Sequence, residues 1–308
     1  MNLKKPKFWD FKKPNIYAYI LLPIAVFLQS LKIFKNKSKT KLKIKTICVG
    51  NIYLGGTGKT SLSIKINKLL AQKNIKSCFI KKFYKDQIDE QKLLSSNGKL
   101  FNSQTRLEAL RQAEKENYEV AILDDGLQDK SIYHNLSFIC FNNISWIGNG
   151  LTIPAGPLRD KLSVLKNYNH VFLNGNLENL ENIINKLKTI NPNIIVHLGK
   201  YEPVNLDQFS AKDKYIVFSG IGNHDTFISM IKNSGLSIFK EIEFPDHYSY
   251  SEKDLNDILV EAQRFNCKII TTEKDFIRIN NPKISEIKFI KTDLKIIDEE
   301  KLLNTLTF

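Results

Sequence analysis

A glycine-rich stretch at residues 53–60 has the composition and spacing of a phosphate-binding loop. It reads Tyr53-Leu-Gly-Gly-Thr-Gly-Lys-Thr60. Glycines let backbone N–H groups turn toward an anion, and the start of a following helix adds partial positive charge. In that arrangement Lys59 reaches the β- and γ-phosphates of a nucleotide, and the Thr60 hydroxyl is a ligand for Mg²⁺. We therefore predict nucleotide binding by the eight residues Tyr53, Leu54, Gly55, Gly56, Thr57, Gly58, Lys59 and Thr60.

The first position of the usual loop pattern, G-x-x-x-x-G-K-[ST], is a tyrosine here, Tyr53. A chance glycine-rich turn with a surface lysine is the alternative interpretation. The flanking segments favour the phosphate-binding loop. Lys45–Val49 has the apolar composition of a buried strand, and Ser61–Lys73 carries leucine and isoleucine at helical spacing, at Leu62, Ile66, Leu69 and Leu70.

Two aspartates follow a second apolar segment. We expect Val120–Leu123 to be a strand, and Asp124 and Asp125 come directly after it. A carboxylate at the carboxyl end of a strand beside a phosphate-binding loop can hold Mg²⁺ directly or through water. We predict that Asp124 and Asp125 serve the metal. The alternative is a pair of aspartates that cap a turn or a helix.

Two further segments could bind phosphate or accept a proton. The loop Gly148–Asp160 contains three glycines and two prolines and ends in Arg159-Asp160. Arg159 could clamp a phosphate through two hydrogen bonds, or it could pair with Asp160 at the surface. His247 lies beside Asp246 in a loop. An Asp–His pair can orient a proton acceptor, and a simple surface turn is the alternative.

The order of the expected elements indicates the fold class. Strand and helix patterns alternate along most of the chain, as far as the strand Lys268–Thr272. This alternation favours layered α/β units with largely parallel sheets. The segment Lys81–Gln104 is polar, and we expect it to be rich in loops.

Length and composition favour an ordinary folded protein. With 308 residues, 42% of them hydrophobic, the chain can bury a sizeable core, and we expect two domains. The cysteines lie in apolar runs without a C-x-x-C pair, which favours buried reduced thiols over a zinc site. They are Cys48, Cys78, Cys140 and Cys267.

Most of the positive charge lies near the N-terminus. Residues 1–45 contain twelve lysines and one aspartate, a net charge of +11 out of +14 for the whole chain. This basic arm indicates an acidic partner. Its apolar run, Ile16–Leu28, has 13 residues, whereas a spanning helix needs about 20. No small-residue cleavage site follows the run, so we do not expect a secretory signal.

Lysines flank the apolar run on both sides, namely Lys4, Lys5, Lys7, Lys12 and Lys13 before it and Lys32, Lys35, Lys37, Lys39, Lys41, Lys43 and Lys45 after it. We expect a helix in the plane of an anionic membrane surface, with its aromatic residues near the headgroups. A single membrane span and a helix packed on its own domain are the alternatives. We expect no nucleic-acid partner, because nucleic acid gives an apolar run nothing to contact.

Together these motifs resemble the tetraacyldisaccharide 4′-kinase family, the lipid A 4′-kinases of Gram-negative bacteria. A non-glycine residue at the position of Tyr53 is normal in that family. The resemblance covers the chain from Phe8-Trp9 to about Asp275. It rests on six stretches in order: Val49–Thr60, Leu123-Asp-Asp-Gly-Leu-Gln128, Gly148–Arg159, Ser219-Gly-Ile-Gly222 with Phe227, Phe244-Pro-Asp-His-Tyr248 and Thr272-Glu-Lys-Asp275.

The resemblance implies an ATP- and Mg²⁺-dependent kinase. Its acceptor would be the 4′-hydroxyl of tetraacyldisaccharide 1-phosphate, an acidic acylated disaccharide lipid, and its product lipid IVA of lipid A biosynthesis. The enzyme would sit on the cytoplasmic face of the bacterial inner membrane, and we infer no obligate protein partner. The implied domains are a membrane-associated helix at residues 1–40, a P-loop kinase domain at 41–192, and a smaller α/β domain with linker strands at 193–308.

The resemblance also implies roles for single residues. Asp89 matches the catalytic aspartate of the family's Asp-Glu-Pro motif, and His247 would assist it as a dyad, with Lys59 as the third catalytic residue. The metal residues would be Thr60, Asp124, Asp125 and Asp160. The polar residues around the nucleotide and its phosphates would be Arg106, Gln128 and Arg159.

The sequence departs from the family pattern at three places. Lys81-Lys-Phe-Tyr84 stands where Ser-Arg-Gly-Tyr is usual, Gln91 replaces the proline of Asp-Glu-Pro, and Asp160 stands where glutamate is usual. Two other classes would share the phosphate-binding loop. One is a membrane-associated P-loop switch, in which Asp89 and His247 would be dispensable. The other is a non-catalytic scaffold that binds ATP or lipid.

Overall fold

The computed structural model describes residues 5–33, 38–84, 87–279 and 285–307. Three lysines of the basic arm, Lys4, Lys35 and Lys37, lie outside these residues. The α-helices in chain order are α1 (Ile16–Ile33), α2 (Lys59–Gln72), α3 (Ile88–Ser95), α4 (Arg106–Lys115), α5 (Leu180–Ile190), α6 (His224–Asn233), α7 (Glu252–Arg264), α8 (Glu273–Arg278) and α9 (Glu299–Thr305). The strands are β1 (Lys45–Gly50), β2 (Ser77–Lys82), β3 (Leu100–Ser103), β4 (Val120–Asp124), β5 (Leu136–Asn142), β6 (His170–Asn174), β7 (Ile195–Pro203), β8 (Lys214–Ser219), β9 (Ser237–Glu243), β10 (Lys268–Thr272), β11 (Ile287–Ile290) and β12 (Thr292–Ile296).

Eight strands form a large sheet in the order β12-β7-β6-β5-β1-β4-β2-β3. Neighbouring strands are parallel except for β12 and β7, which are antiparallel. The register pairs Val49 of β1 with Asp124 of β4. Because parallel strands end at the same edge of a sheet, the loop after β1 and the aspartates after β4 lie side by side there.

Four strands form a second sheet, in the order β11-β10-β8-β9, and all of its neighbouring pairs are parallel. The prediction of layered α/β units with largely parallel sheets is therefore confirmed. The large sheet is buried on both faces, as expected for parallel strands with nearly continuous apolar runs. Helix α2 covers one face, where Leu62, Ile66 and Leu69 are fully buried as predicted.

The expectation that Lys81–Gln104 is rich in loops is wrong. Strand β2 continues to Lys82, and α3 and β3 follow within the segment. Helix α3 buries only Asp89 and Leu94, and β3 buries only Phe101 at the edge of the sheet. Neither element therefore has the apolar periodicity from which it could have been predicted.

Several elements after residue 190 were not predicted, namely β9, α8, β11, β12 and α9. Strand β9 is an edge strand that is exposed along most of its length. Strands β7 and β12 belong to the large sheet, although both fall in the segment 193–308 predicted as the second domain. Cys267 is only half-buried, contrary to expectation, whereas the other three cysteines are buried.

The N-terminal helix α1 is docked on the body of the protein. Its Gln29 donates a hydrogen bond to the carbonyl oxygen of Arg159, and the preceding Trp9 donates one to the carbonyl oxygen of Pro154. Much of its apolar surface stays uncovered, and Ile20 is 65% exposed. Within the described residues, no helix combines the length and the apolar character that crossing a membrane requires.

The packing of Phe172 on β6 provides a test of the large sheet. Its ring is fully buried and lies so close to Gly199 of β7 that an added Cβ there would be 2.7 Å from it. We expect Phe172→Ala to lower the free energy of unfolding by about 3–5 kcal/mol, because a large cavity would remain. Urea denaturation would measure this. The control, Phe239→Ala at an exposed position, should change stability by less than about 1 kcal/mol.

Candidate active site

The loop between β1 and α2 is held open as a cradle by two asparagines. The Asn51 amide donates to the Thr57 hydroxyl at 2.8 Å, and the Asn174 amide donates to the Thr57 carbonyl oxygen at 2.8 Å. Gly58 has a φ of +78° and would place a Cβ 2.6 Å from the Asn174 amide nitrogen, so only glycine fits. Helix α2 begins at the next residue, and its free N–H groups point toward the cradle.

The turn after β8 lies directly against this loop. A Cβ added at Gly222 would be 2.2 Å from the backbone nitrogen of Gly56. The two glycine-rich turns are thus in backbone contact, one from each sheet. The second sheet therefore forms part of the wall of the phosphate-binding loop.

The predicted metal residues Thr60 and Asp124 are brought together. The Thr60 hydroxyl lies 3.3 Å from Asp124 Oδ2, and the Ser63 hydroxyl lies 3.3 Å from Asp124 Oδ1. Asp124 is fully buried. A hydroxyl and a carboxylate oxygen at a helix N-terminus are the hard oxygen donors that suit Mg²⁺. In the described part of the chain, no group of three His, Cys, Asp or Glu side chains converges as a metal site, so this pair fits a metal that also takes phosphate or water ligands.

Lys81 is a buried cation beside the same carboxylate. Its Nζ lies 2.8 Å from Asp124 Oδ2 and 2.6 Å from Glu90 Oε2, and its side chain is 1% exposed. Burial alone would lower the pKa of Lys81, but the two carboxylates outweigh it and raise that pKa above the usual lysine range. The ammonium thus stays charged and links the end of β4 to α3.

Asp125 is turned toward two cations instead. The Arg159 guanidinium lies 3.1 Å from Asp125 Oδ1, and Lys59 Nζ lies 3.7 Å from the same oxygen. Burial opposes ionisation of Asp125, but Lys59 and Arg159 outweigh it and lower the pKa of Asp125. Of the alternatives for Arg159, pairing with Asp160 is wrong, because the guanidinium contacts Asp125.

A cavity of about 440 Å³ opens beside Asp125 at the carboxyl edge of the large sheet. The Arg106 guanidinium donates to the Asp125 carbonyl oxygen at 2.6 Å, and the Gln128 amide donates to the Asn51 carbonyl oxygen at 2.8 Å. The cavity is lined by three cationic residues, Lys82, Arg106 and Arg159, and by Tyr84, Gln104, Thr105, Asp125, Gln128 and Asp129. It is suited to a polar, negatively charged ligand.

The structure brings Asp89 and His247 together, although they are far apart in the sequence. Asp89 lies on α3 and is 4% exposed, and its Oδ1 is 3.5 Å from His247 Nδ1. His247 lies in the loop after β9, with a φ of +58°. The other ring nitrogen, Nε2, lies 3.9 Å from the Asp246 carboxylate.

The two groups shift each other's pKa in opposite directions. Burial opposes ionisation of Asp89, but the interaction with His247 and the charge of Arg278 outweigh it, so the pKa of Asp89 falls well below its usual range. The interaction with Asp89 raises the pKa of His247 against the opposing effect of burial. Opposite shifts within one pair are typical of an acid–base site.

Three predicted residues lie elsewhere. The Tyr53 hydroxyl accepts a hydrogen bond from Lys5 Nζ at 2.6 Å, so Tyr53 anchors the N-terminal segment. Leu54 is exposed beside it. Asp160 is paired with Lys32 of α1 at 2.9 Å, and the structure does not bring it to the other predicted metal residues.

Sequence reasoning missed four residues that build the site. Asn51 and Asn174 hold the phosphate-binding loop. Lys81 neutralises the buried carboxylate of Asp124, and Glu90 is the second carboxylate that pairs with Lys81. Asn51 lies two residues before the glycine-rich stretch, and this position is a usable signal. Lys81 was noted only as a departure from a family pattern, and nothing local shows that it is buried.

The fold and the phosphate-binding loop define a P-loop nucleotide-binding protein, with an Asp–His pair beside the loop. The family model for tetraacyldisaccharide-1-P 4′-kinase (LpxK) matches residues 18–307. The chain is 55% identical over 307 residues to the tetraacyldisaccharide 4′-kinase of Pelagibacter ubique, covering 99% of this chain and 98% of the relative. It is 32% identical to the tetraacyldisaccharide 4′-kinase of Rickettsia akari, covering 100% of this chain and 98% of the relative.

The chain therefore belongs to the tetraacyldisaccharide-1-P 4′-kinase family. A solved structure supports the fold. It is the "apo" form of LpxK from Aquifex aeolicus in complex with ATP, which matches with a TM-score of 0.64 and 23% identity over 94% of this chain and 95% of that chain.

The Asp89–His247 pair predicts a pH-dependent contribution to stability. The raised pKa of His247 means that its contribution is complete below the unfolded value of about 6.5 and is lost as pH rises through the folded value. We expect His247→Gln to cost about 1 kcal/mol at pH 6, and less at pH 8.5. Urea denaturation across this range would measure the difference.

His134→Gln is the matched control. Burial lowers the pKa of His134 to about 4, so the wild type should lose stability relative to this variant as pH falls below about 6.5. The two variants should therefore show opposite trends with pH. A difference for His247→Gln that stays constant with pH would show that the pair does not form.

Proposed function

We propose that this protein is an ATP-dependent kinase that transfers the γ-phosphate to the 4′-hydroxyl of tetraacyldisaccharide 1-phosphate, the lipid A precursor. Family membership supports the reaction. The observation that carries the assignment to this chain is the position of the Asp89–His247 pair across from Asp124 and the phosphate-binding loop, linked to them by Lys81 and Glu90.

The phosphate-binding loop would hold the triphosphate. Backbone N–H groups at the start of α2 would face the anion. The positive charge of Lys59 would contact the γ-phosphate and stabilise it during transfer. Thr60 and Asp124 would hold Mg²⁺, which neutralises charge on the phosphates when it is bound. On binding, Lys59 would exchange its contact with Asp125 for the phosphate.

We place the nucleoside in a groove of about 230 Å³ that is lined in part by Tyr201. Tyr201 contacts Ser61, the residue after the loop. The groove is lined by the turn after β6 and one face of α6, with Asn176, Thr226 and Met230 among its residues. A groove lined by both polar and apolar side chains suits a purine base.

The cavity beside Asp125 would hold the phosphorylated sugar head of the acceptor. Lys82, Arg106 and Arg159 supply positive charge around it. A sugar hydroxyl is a weak nucleophile at neutral pH, so a positioned group must accept its proton as the bond to phosphorus forms. The Asp89–His247 pair would take that proton, and the bond between the γ-phosphorus and its bridging oxygen would break, leaving ADP.

The uncovered face of α1 would lie on the membrane surface. Its exposed apolar residues and the lysines around it suit an anionic bilayer, where the acylated acceptor also resides. We propose the cytoplasmic face of the inner membrane, because ATP is available there. The docked position of α1 keeps the acceptor cavity near that surface.

Transfer of labelled γ-phosphate from ATP to tetraacyldisaccharide 1-phosphate in detergent micelles tests the reaction. We expect label in the lipid with the wild type, and a loss of at least about 100-fold with Lys59→Ala or Asp89→Ala, since each removes charge stabilisation or proton transfer.

The control for this assay is Lys65→Ala. Lys65 lies on the same helix as Lys59 but pairs with Glu299, so its loss should leave transfer within about threefold. ATP binding without lipid labelling by the wild type would overturn the kinase proposal and favour a scaffold. ATP turnover that is independent of lipid and of Asp89 would favour a switch.

Membrane association is tested at α1. Deleting the whole arm would also remove Trp9 and Gln29, which contact the body of the protein. We therefore choose Ile20→Asn with Ile24→Asn, both exposed. We expect binding to vesicles with anionic lipid to fall at least tenfold in co-sedimentation, because apolar area is lost. Val260→Asn, an exposed apolar position on α7, is the control, and equal loss in both would contradict the proposal.

A further inference from the structure

The Thr272-Glu-Lys-Asp275 stretch has no role in the site as described so far. It forms the start of α8, and the Thr272 hydroxyl caps the helix by accepting the Asp275 N–H. Asp275 is fully buried. Its Oδ1 accepts the Gly220 N–H at 3.1 Å and the Tyr250 hydroxyl at 2.9 Å. The stretch is therefore a rigid anchor between β8 and the loop after β9.

Arg278, at the end of α8, is fixed by this anchor. Its Nη1 donates to Asp275 Oδ1 at 3.0 Å and to the Gly220 carbonyl oxygen at 2.7 Å. Its side chain is 11% exposed. The other terminal nitrogen, Nη2, donates to Asp89 Oδ2 at 2.5 Å. Two hydrogen bonds thus fix the Arg278 guanidinium, and its third is made to the carboxylate of Asp89 on α3.

The same carbonyl group fixes the histidine. The backbone N–H of His247 donates to the Gly220 carbonyl oxygen at 3.0 Å. Arg278 Nη2 lies 3.4 Å from His247 Nδ1 in the imidazole ring. His247 pairs with Asp89 Oδ1, and Arg278 pairs with Asp89 Oδ2. Both oxygens of Asp89 are therefore held by groups that are anchored on Gly220 at the end of β8.

A second ion pair supports this arrangement. Lys274 lies one turn before Arg278 on α8, and its Nζ is 3.6 Å from Glu90 Oε1. Two cations of α8 thus face two neighbouring carboxylates of α3. Helix α3 packs on the core through Leu94, and these ion pairs fix its carboxylates against α8.

We propose that Arg278 is a positioning residue for the phosphoryl-transfer reaction, which fixes the carboxylate of Asp89 against His247 by bridging α8 to α3. This inference rests on the proposed function, in which the Asp89–His247 pair accepts the acceptor's proton. With Asp89 held on both oxygens and His247 Nδ1 facing Asp89, His247 Nε2, which lies 3.9 Å from the Asp246 carboxylate, is the nitrogen of the pair that would take the proton. Arg278 contacts neither the nucleotide loop nor the acceptor cavity.

The inference predicts a change in the pH profile. Asp89 is faced by Arg278 and Lys274 from α8 and by His247 from the loop after β9, and His247 is also faced by Asp246 and Glu90. Removing the Arg278 charge should raise the pKa of Asp89. The Arg278 charge also lies 3.4 Å from His247 Nδ1, so its removal should raise the pKa of His247 as well. The acidic limb of the rate profile within pH 5–9 should then move to higher pH, because His247 must be neutral to accept the proton.

The test is lipid phosphorylation by Arg278→Gln and Arg278→Lys across pH 5–9. We expect kcat of Arg278→Gln to fall at least 30-fold, with KM for ATP within threefold and the acidic limb shifted upward. Arg278→Lys should recover part of the rate, as should added guanidinium ion with Arg278→Gln. Arg264→Gln, an exposed arginine on α7, is the control and should retain the wild-type rate and profile.

A double variant separates positioning from folding. If Arg278 acts through Asp89, adding Arg278→Gln to Asp89→Asn should reduce the rate by no more than threefold beyond Asp89→Asn alone. Losses that multiply would overturn the proposal. So would a wild-type pH profile in folded Arg278→Gln, because that would indicate a purely structural role.

Failure of the proposed function has a separate signature. If the wild type transfers no phosphate to the lipid, the kinase assignment fails whatever Arg278 does. The contact between Arg278 of α8 and Asp89 of α3 is then tested by thermal unfolding of the same single and double variants. Non-additive shifts of the unfolding midpoint would support it, and additive shifts would overturn it.

Discussion

The rest of the site depends on the charge neutralisation of one buried carboxylate, Asp124. An ionised carboxylate without water must be neutralised by a nearby cation and hydrogen bonds. Here Lys81 supplies the charge, and Thr60 and Ser63 supply hydroxyl groups. Because Lys81 also pairs with Glu90, the neutralisation of Asp124 brings α3, and with it the candidate base, to the edge of the phosphate-binding loop.

The site is divided between the two sheets in a way that separates its tasks. The large sheet supplies the phosphate-binding loop, the oxygens of Thr60 and Asp124 that would hold the metal, and the cavity that would hold the acceptor. The second sheet supplies His247 and Arg278, both anchored on the Gly220 carbonyl oxygen. Contacts across the boundary include the ion pairs of Asp89, backbone contact between the glycine turns, and Tyr201, which packs against the cores of both sheets. Such contacts give precise geometry with little burial, so we expect the boundary to adjust when nucleotide binds.

The parts of the site that could be predicted from the sequence are those with a local signal. The phosphate-binding loop and the aspartates after β4 combine a strand, a turn and a helix within a few residues, and the apolar face of α2 shows helical spacing. The pairing of Asp89 with His247 has no such signal, because it depends on two sheets closing on each other, and only family resemblance suggested it. Helix α3 was missed for a related reason, since ion pairs from distant parts of the chain hold it in place.

The N-terminal helix is connected to the phosphate site through a single residue. Gln29 and Lys32 of α1 both bond the Arg159 carbonyl oxygen, while the Arg159 guanidinium pairs with Asp125 beside Lys59. The backbone of Arg159 is therefore held by the element with the exposed apolar face, and its side chain lines the acceptor cavity. A lipid acceptor that leaves its acyl chains at this face and extends its charged head into the cavity would meet Arg159 on the way. Under the proposed function, lipid contact and phosphate recognition would lie at the two ends of Arg159, which would be a reason for an enzyme with a membrane-bound substrate to keep this helix docked.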